Sequence, residues 1–138
     1  MAKILISDRT HPLAEELARL LREEGHEVLL NPKEISSPEE IRELIREGGV
    51  PDLLILSEYS SLRETLTGGN ADAIAREVER KLNSAFLAAK HAGAAMAERG
   101  EGGILILGSL AADKPTGAIP AYAMILGALQ MMMKELAL

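Results

Sequence analysis

Four short apolar runs, separated by segments with helical spacing, constrain this chain more than any other feature. Lys3 to Ser7, Glu27 to Leu30, Leu53 to Leu56 and Ile104 to Leu107 each carry the continuous Ile/Leu/Val character of a strand buried on both faces. After the first run, Leu13, Leu17, Leu20 and Leu21 make a helical stripe that Pro12 precedes and Gly25 ends. After the second, Ser37-Pro38-Glu39-Glu40 has the pattern of a capped helix start: a hydroxyl cap, a proline at the first position and a glutamate three residues on. Ile41, Leu44 and Ile45 give that helix its apolar face, and Gly48-Gly49 ends it.

A polar loop through Gly68-Gly69 follows the third run. Asn70 can then cap a long helix to about Arg99, with Ile74, Val78, Leu82, Phe86, Ala89, Gly93 and Met96 on one stripe. Beyond the fourth run, a loop with Pro115, Gly117 and Pro120 leads to a last helix, about Tyr122 to Leu138. Strands alternating with helices imply a parallel sheet, and right-handed crossovers place helices on both faces. The expected fold is α/β: a Rossmann-like, doubly wound three-layer sandwich with a short parallel sheet of about four strands. Residues 1–138 form a single domain, without repeat or linker.

Composition excludes several function classes. A net charge of −6 provides no basic footprint for nucleic acid or anionic lipid. Phe86, Tyr59 and Tyr122 are the only large aromatic side chains, too few for base stacking. The chain has no cysteine, so disulfide and thiolate chemistry are absent and a cytoplasmic setting is expected. His11, His26 and His91 lack metal-ligand spacing. The longest apolar stretch, Ala121 to Leu129, is far short of the roughly 20 residues of a membrane span. Neither nucleic acid, membrane nor metal is an expected partner.

The second half resembles a short-chain dehydrogenase/reductase. Gly103-Ile104-Leu105-Ile106-Leu107-Gly108-Ser109 is similar to that family's strand ending in a catalytic serine, and Tyr122 lies thirteen residues after Ser109, at the family's serine–tyrosine spacing. Pro120-Ala121-Tyr122-Ala123 and Gly127-Ala128-Leu129 are similar to the start of its tyrosine-bearing helix. Ala85-Phe86-Leu87 looks like the segment that follows its catalytic asparagine. Nearly the whole chain aligns, with a helix and strand missing after Leu30 and no counterpart of the family's final strands after the last helix. The pattern is that of a shortened member, truncated after the tyrosine-bearing helix. A chain cut down by design would look the same.

Within that resemblance, most of the residues that do chemistry are replaced. The family's lysine, four residues after the tyrosine, falls on Leu126, and its asparagine falls on Lys81. Asn83, two residues out of register, would point away on a helix. The three glycines of the family's cofactor turn fall on Asp8, Pro12 and Ala14, and its Asn-Asn-Ala-Gly falls on Leu56-Ser57-Glu58-Tyr59. Those glycines let backbone N–H groups approach a pyrophosphate at a helix N-terminus. A carboxylate, a missing donor and an extra methyl oppose that approach. A tyrosine without a nearby cation titrates near 10 or above and is a poor base at neutral pH. No cofactor is therefore expected, and Ser109 and Tyr122 read as vestigial catalytic candidates.

Each residue also has a plain structural reading. Ser109 would satisfy backbone groups at a strand end, and Tyr122 would be a core residue with a hydrogen-bonded hydroxyl. Asp8 and Thr10 would cap the first helix. His11 and Lys81 would be solvated, and Ser57, Glu58 and Tyr59 are ligand candidates only by their place at a strand end, being otherwise loop residues.

The last helix is apolar almost all round: Met124, Ile125, Leu126, Leu129, Met131, Met132, Met133, Leu136 and Leu138 against Gln130, Lys134 and Glu135. Such a surface marks an interface. The resemblance implies pairing of this helix and the long one with their copies in a four-helix bundle, through Phe86, Ala89, Gly93, Met124, Ile125, Met131 and Met132. The small residues Ala88, Ala92 and Ala95 would allow close approach. The leading expectation is a non-catalytic protein acting through assembly, as a homodimer or homotetramer or with an active paralogue. The alternative is an oxidoreductase or small-ligand sensor using Ser109 and Tyr122, with NAD(P) as cofactor if it is a dehydrogenase.

Overall fold

A computed structural model describes residues 1–109 and 117–137. The order of elements is β1 (Lys3–Ile6), α1 (Ala14–Glu23), β2 (Glu27–Leu30), α2 (Pro38–Gly48), β3 (Leu53–Leu56), α3 (Ala71–Arg99), β4 (Gly103–Ile106) and α4 (Pro120–Leu136). All strand pairs are parallel, in the order β2-β1-β3-β4. The sheet is therefore the expected one, with β2 and β4 at its edges. Pro115 and Leu138 lie outside the described residues.

Strand alternation decides which helices cover which face. Ile4, Ile6, Val28, Leu30 and Ile55 turn to α1, where Ala14 and Ala18 are small enough to lie on the sheet. Leu5, Leu54 and Leu56 turn to the opposite face, against Ile41 of α2, Ala85, Ala88, Ala89 and Ala92 of α3, and Ile125 and Leu129 of α4. The three-layer arrangement follows.

Caps set the helix ends. Ser37 Oγ accepts the Glu40 amide at 3.3 Å. The reciprocal half of that cap is shifted by one residue: the Glu40 carboxylate accepts Ser36 N and Ser36 Oγ, not the Ser37 amide. Asn70 Oδ1 accepts the Ala73 amide at 3.0 Å and starts α3 as expected. Gly100 ends α3 in the left-handed conformation that glycine adopts without cost, with its N–H donating to Met96 and Ala97 carbonyls. The two sheet edges differ. Arg22 of α1 donates to the Val28 carbonyl of β2 at 2.9 Å. On β4, Leu105 is exposed and turns to the α1 face, beyond the reach of α1 itself.

Candidate functional site

The C-terminal ends of parallel strands are where α/β proteins bind ligands, because chain reversals on opposite sides open a crevice there. In this chain that region is filled with its own polar side chains. Ser7, Asp8, Ser57 and Glu58 have no exposed surface, and Lys81 and His11 are buried.

Two stitches join the ends of β1 and β3. Ser57 Oγ accepts the Asp8 amide at 2.9 Å and donates to the Asp8 carbonyl at 2.7 Å. Ser7 Oγ accepts the Ser57 amide and lies 2.7 Å from each carboxyl oxygen of Glu58. Among the described residues no cation forms an ion pair with Glu58, and burial pushes its pKa up to about 8, opposed by the Ser7 hydrogen bond and reinforced by the Asp8 charge. At neutral pH it is largely a neutral acid.

An ion cluster lies beside these stitches. Lys81, reaching down from α3, places Nζ 2.9 Å from Asp8 Oδ2, 3.2 Å from Glu34 Oε2 and 3.2 Å from Thr10 Oγ1. Burial acts to lower the Lys81 pKa, but hydrogen bonds and charge from Asp8 and Glu34 outweigh it and raise it. The ammonium is therefore held between two carboxylates. Such a pair contributes little net stability against an apolar replacement, but losing one partner alone is costly.

A row of rings closes the region. His11 and Tyr59 meet edge to face at 5.5 Å between centroids, and Tyr59 and Tyr122 at 4.8 Å. Tyr122 is buried, and its hydroxyl is the one buried side-chain polar atom without a hydrogen-bond partner among the described residues. Burial, then the neighbouring Tyr59, raises its pKa. Leu126, at the position where the resemblance has a lysine, is fully packed inside.

Several sequence expectations are corrected here. Lys81 is not solvated: the acidic residues it meets come from the β1–α1 turn and from the segment before α2. Asp8 and Thr10 do not cap α1. Asp8 Oδ1 accepts Thr10 N and Thr10 Oγ1 in a local turn, and the cap residue of α1, Leu13, makes no side-chain cap. His11 is not a surface residue: its Nδ1 accepts the Leu13 amide at 3.0 Å. Glu58 is not a solvated loop residue. Tyr122 is in the core as expected, without the expected hydroxyl partner. Asn83 is exposed, as its register implied, and so is Ser109. On the helical face, Ala89 and Ile125 are buried in the chain's own core, so neither is available to a partner, whereas Phe86, Met124 and Met131 are exposed. Ala88 and Ala92 are likewise buried.

Residues 1–138 match the family model described as short chain dehydrogenase. The chain belongs to that family. No curated protein matches it. Among solved structures, an oxidoreductase of the short chain dehydrogenase/reductase family from Burkholderia thailandensis superposes with a TM-score of 0.86 at 18% identity, covering 98% of this chain and 62% of that one. Serine dehydrogenase from Escherichia coli gives 0.82 at 15% identity, over 94% and 72%. L-sorbose reductase from Gluconobacter frateurii, solved with NADPH and L-sorbose, gives 0.72 at 27% identity, over 97% and 52%. The chain spans from about half to under three quarters of the length of these structures, 52% to 72%.

Membership in this family raises the question of a nicotinamide cofactor, and the residues of the β1–α1 turn do not fit one. A pyrophosphate needs free backbone N–H groups at the turn and helix start. Asp8 N is taken by Ser57 Oγ, Arg9 N by the Asn31 carbonyl, Thr10 N by Asp8 Oδ1, Leu13 N by His11 Nδ1 and Ala14 N by the His11 carbonyl. Pro12 has none. Glu15 and Glu16 add negative charge to the first turn of α1.

The sequence contained a signal for this cluster that residue-by-residue reading missed. In the short chain dehydrogenase frame, Asp8 replaces a glycine and Lys81 an asparagine, both at positions facing one crevice. Two departures of opposite charge at facing positions are the signature of a pair.

Proposed function

We propose that this chain is a non-catalytic member of the short chain dehydrogenase family whose role is assembly with copies of itself or with an active relative. The observation that carries the first part is the β1–α1 turn: its Asp8, Arg9, Thr10, Leu13 and Ala14 N–H groups are bonded within the chain, and Lys81 pairs with the Asp8 carboxylate in the bend. Displacing those contacts for a dinucleotide would strip a buried ion pair of its partner, an expensive exchange. The direction of the Tyr122 pKa supports the same reading: among the described residues, burial and the neighbouring Tyr59 both raise it.

The assembly role is supported by the other end of the molecule. Met124 and Met131 of α4 and Phe86 of α3 are exposed, and a groove of about 810 Å³ runs between α3, α4 and β4, lined by Phe86, Gly93, Met132 and Met133 among others. Large exposed apolar surfaces of this kind mark interfaces. Sizing chromatography with light scattering tests this directly: a stable dimer or tetramer at micromolar concentration is expected, and a monomer would end the homo-oligomer reading.

The second reading is an oxidoreductase or small-ligand sensor using Ser109 and Tyr122, with NAD(P) in the dehydrogenase case. The unpartnered hydroxyl of Tyr122 favours it, because such a group gains most from a ligand acceptor. A thermal-shift screen with nucleotides and acyl-thioesters separates the two: stabilisation that Tyr122→Phe abolishes would favour the ligand reading.

A further inference from the structure

Among the described residues, the polar cluster at the strand ends sets three carboxyl groups, Asp8, Glu34 and Glu58, against Lys81 and, on Glu34 alone, Arg80. Lys81 is held by Asp8 and Glu34, and Glu58 is left with Ser7 as its side-chain partner. A serine hydroxyl has one hydrogen to give. It can bond well to a neutral acid, donating to one oxygen and accepting from the other, whereas a buried carboxylate would have only that one hydrogen and the Glu58 backbone N–H to offset its burial. The same Ser7 oxygen accepts the Ser57 amide, and Ser57 in turn holds both the amide and the carbonyl of Asp8. The protonation of Glu58 is thus tied through two serines to the residue that pairs with Lys81.

We infer that this arrangement is a proton-locked latch between the ends of β1 and β3: a neutral Glu58 keeps the strand-end crevice closed, and loss of its proton loosens it. The charged groups that act on Glu58 are Asp8 from the end of β1 and Lys81 from α3; Glu34, from the segment before α2, shares Lys81, and the next titratable groups around the cluster are His11, Tyr59 and Tyr122, which pack on one another. Glu34 is also paired with Arg80 at 2.6 Å, whereas among the described residues no cation forms an ion pair with Glu58. On ionising, Glu58 would be a buried carboxylate beside the Asp8 charge, with Lys81 already bonded to Asp8 and Glu34. The inference does not depend on whether the chain assembles or binds a ligand.

The direction with pH follows from burial. The Glu58 pKa is raised from 4.5 to about 8 in the folded chain. Its contribution to stability is fully present below the unfolded carboxyl pKa and is lost as pH rises through the folded one. His11 acts on the other side. Burial lowers its pKa against the opposing pull of Asp8, so its contribution is present at neutral pH and lost as pH falls.

The test compares the native chain with Glu58→Gln, which keeps a neutral, hydrogen-bonding side chain of the same size. Between about pH 5 and pH 8 the unfolding constant of the native chain is expected to rise, relative to the variant, by up to about tenfold per pH unit. Hydrogen-exchange protection at the Asp8 and Ser57 amides, corrected for intrinsic rate, should fall over the upper part of that range in the native chain and stay constant in the variant. The His26 amide, at the opposite end of the sheet, should lose no more protection than the global unfolding constant accounts for, and less than the Asp8 and Ser57 amides. Should Glu58→Gln fold poorly, carboxyl-carbon NMR titration of Glu58 in the native chain decides the matter: an inflection near 8 supports the latch. A Glu58 carboxyl already ionised at pH 6, or Asp8 and Ser57 protection independent of pH, overturns it.

Discussion

The two ends of this molecule treat their side chains in opposite ways. At the C-terminal ends of the strands, charged and hydroxyl groups are buried and bonded to one another: Asp8 to Lys81, Ser7 to Glu58, Ser57 to the Asp8 backbone. Along α3 and α4, by contrast, Phe86, Met124, Met131 and Leu136 are large, apolar and exposed. In an isolated chain both choices carry a cost, since burying polar groups demands full pairing and exposing apolar ones invites association. The difference teaches which end supports which half of the proposed function: the strand-end crevice is occupied by the chain's own bonded polar side chains, while the helical surface leaves large apolar side chains exposed.

The comparison breaks most readily at Lys81. Lys81→Met leaves Asp8 buried without its cation, and a loss of roughly 3–5 kcal/mol in urea unfolding is expected. That is a large part of the stability of a domain this size. Asp8→Leu combined with Lys81→Met should recover most of it, since neither charge then remains unpaired. A loss under about 1 kcal/mol for the single variant would mean that the strand-end cluster is not the tight unit described here.

The helical face gives the next largest effect, read in mass and not in stability. Phe86→Lys with Met131→Lys places two charges on the exposed apolar surface. We expect at least a tenfold weaker self-association by light scattering, with the circular dichroism spectrum unchanged. An unaltered mass would move the interface elsewhere.

Tyr122→Phe sharpens the contrast from inside the cluster. Removing a buried hydroxyl that has no partner should leave thermal stability unchanged or raise it, within about 1 kcal/mol. A clear loss would mean that the hydroxyl is paired. The smallest effects belong to neither end: Ser37→Ala and Asn70→Ala each remove a helix cap and should cost ~1 kcal/mol in chemical unfolding.

Periodicity made the scaffold readable. Glu27–Leu30 and Leu53–Leu56 fall on the strands that their apolar runs implied, and α3 begins after Asn70 and ends at Arg99 because its capping residues are local signals. The family was legible over residues 1–138 because the order of elements survives the loss of motifs. The cluster was not legible in the same way. Lys81 lies seventy-three positions from Asp8, and its neighbours on α3 are charged, so local patterning favours solvent. Glu58 follows a strand and looks like loop until the packing of α3 and α4 over it is known. Ile125 and Ala89 were misassigned to an interface because a helix that is apolar all round does not reveal which side faces its own core.

The closure of the β1–α1 turn to a dinucleotide is the claim on which the functional reading rests. Isothermal titration of the purified chain with NADH and with NADPH tests it most directly. The account predicts no saturable heat at submillimolar nucleotide, in the native chain as in Asp8→Asn. Saturable binding with micromolar affinity would contradict it.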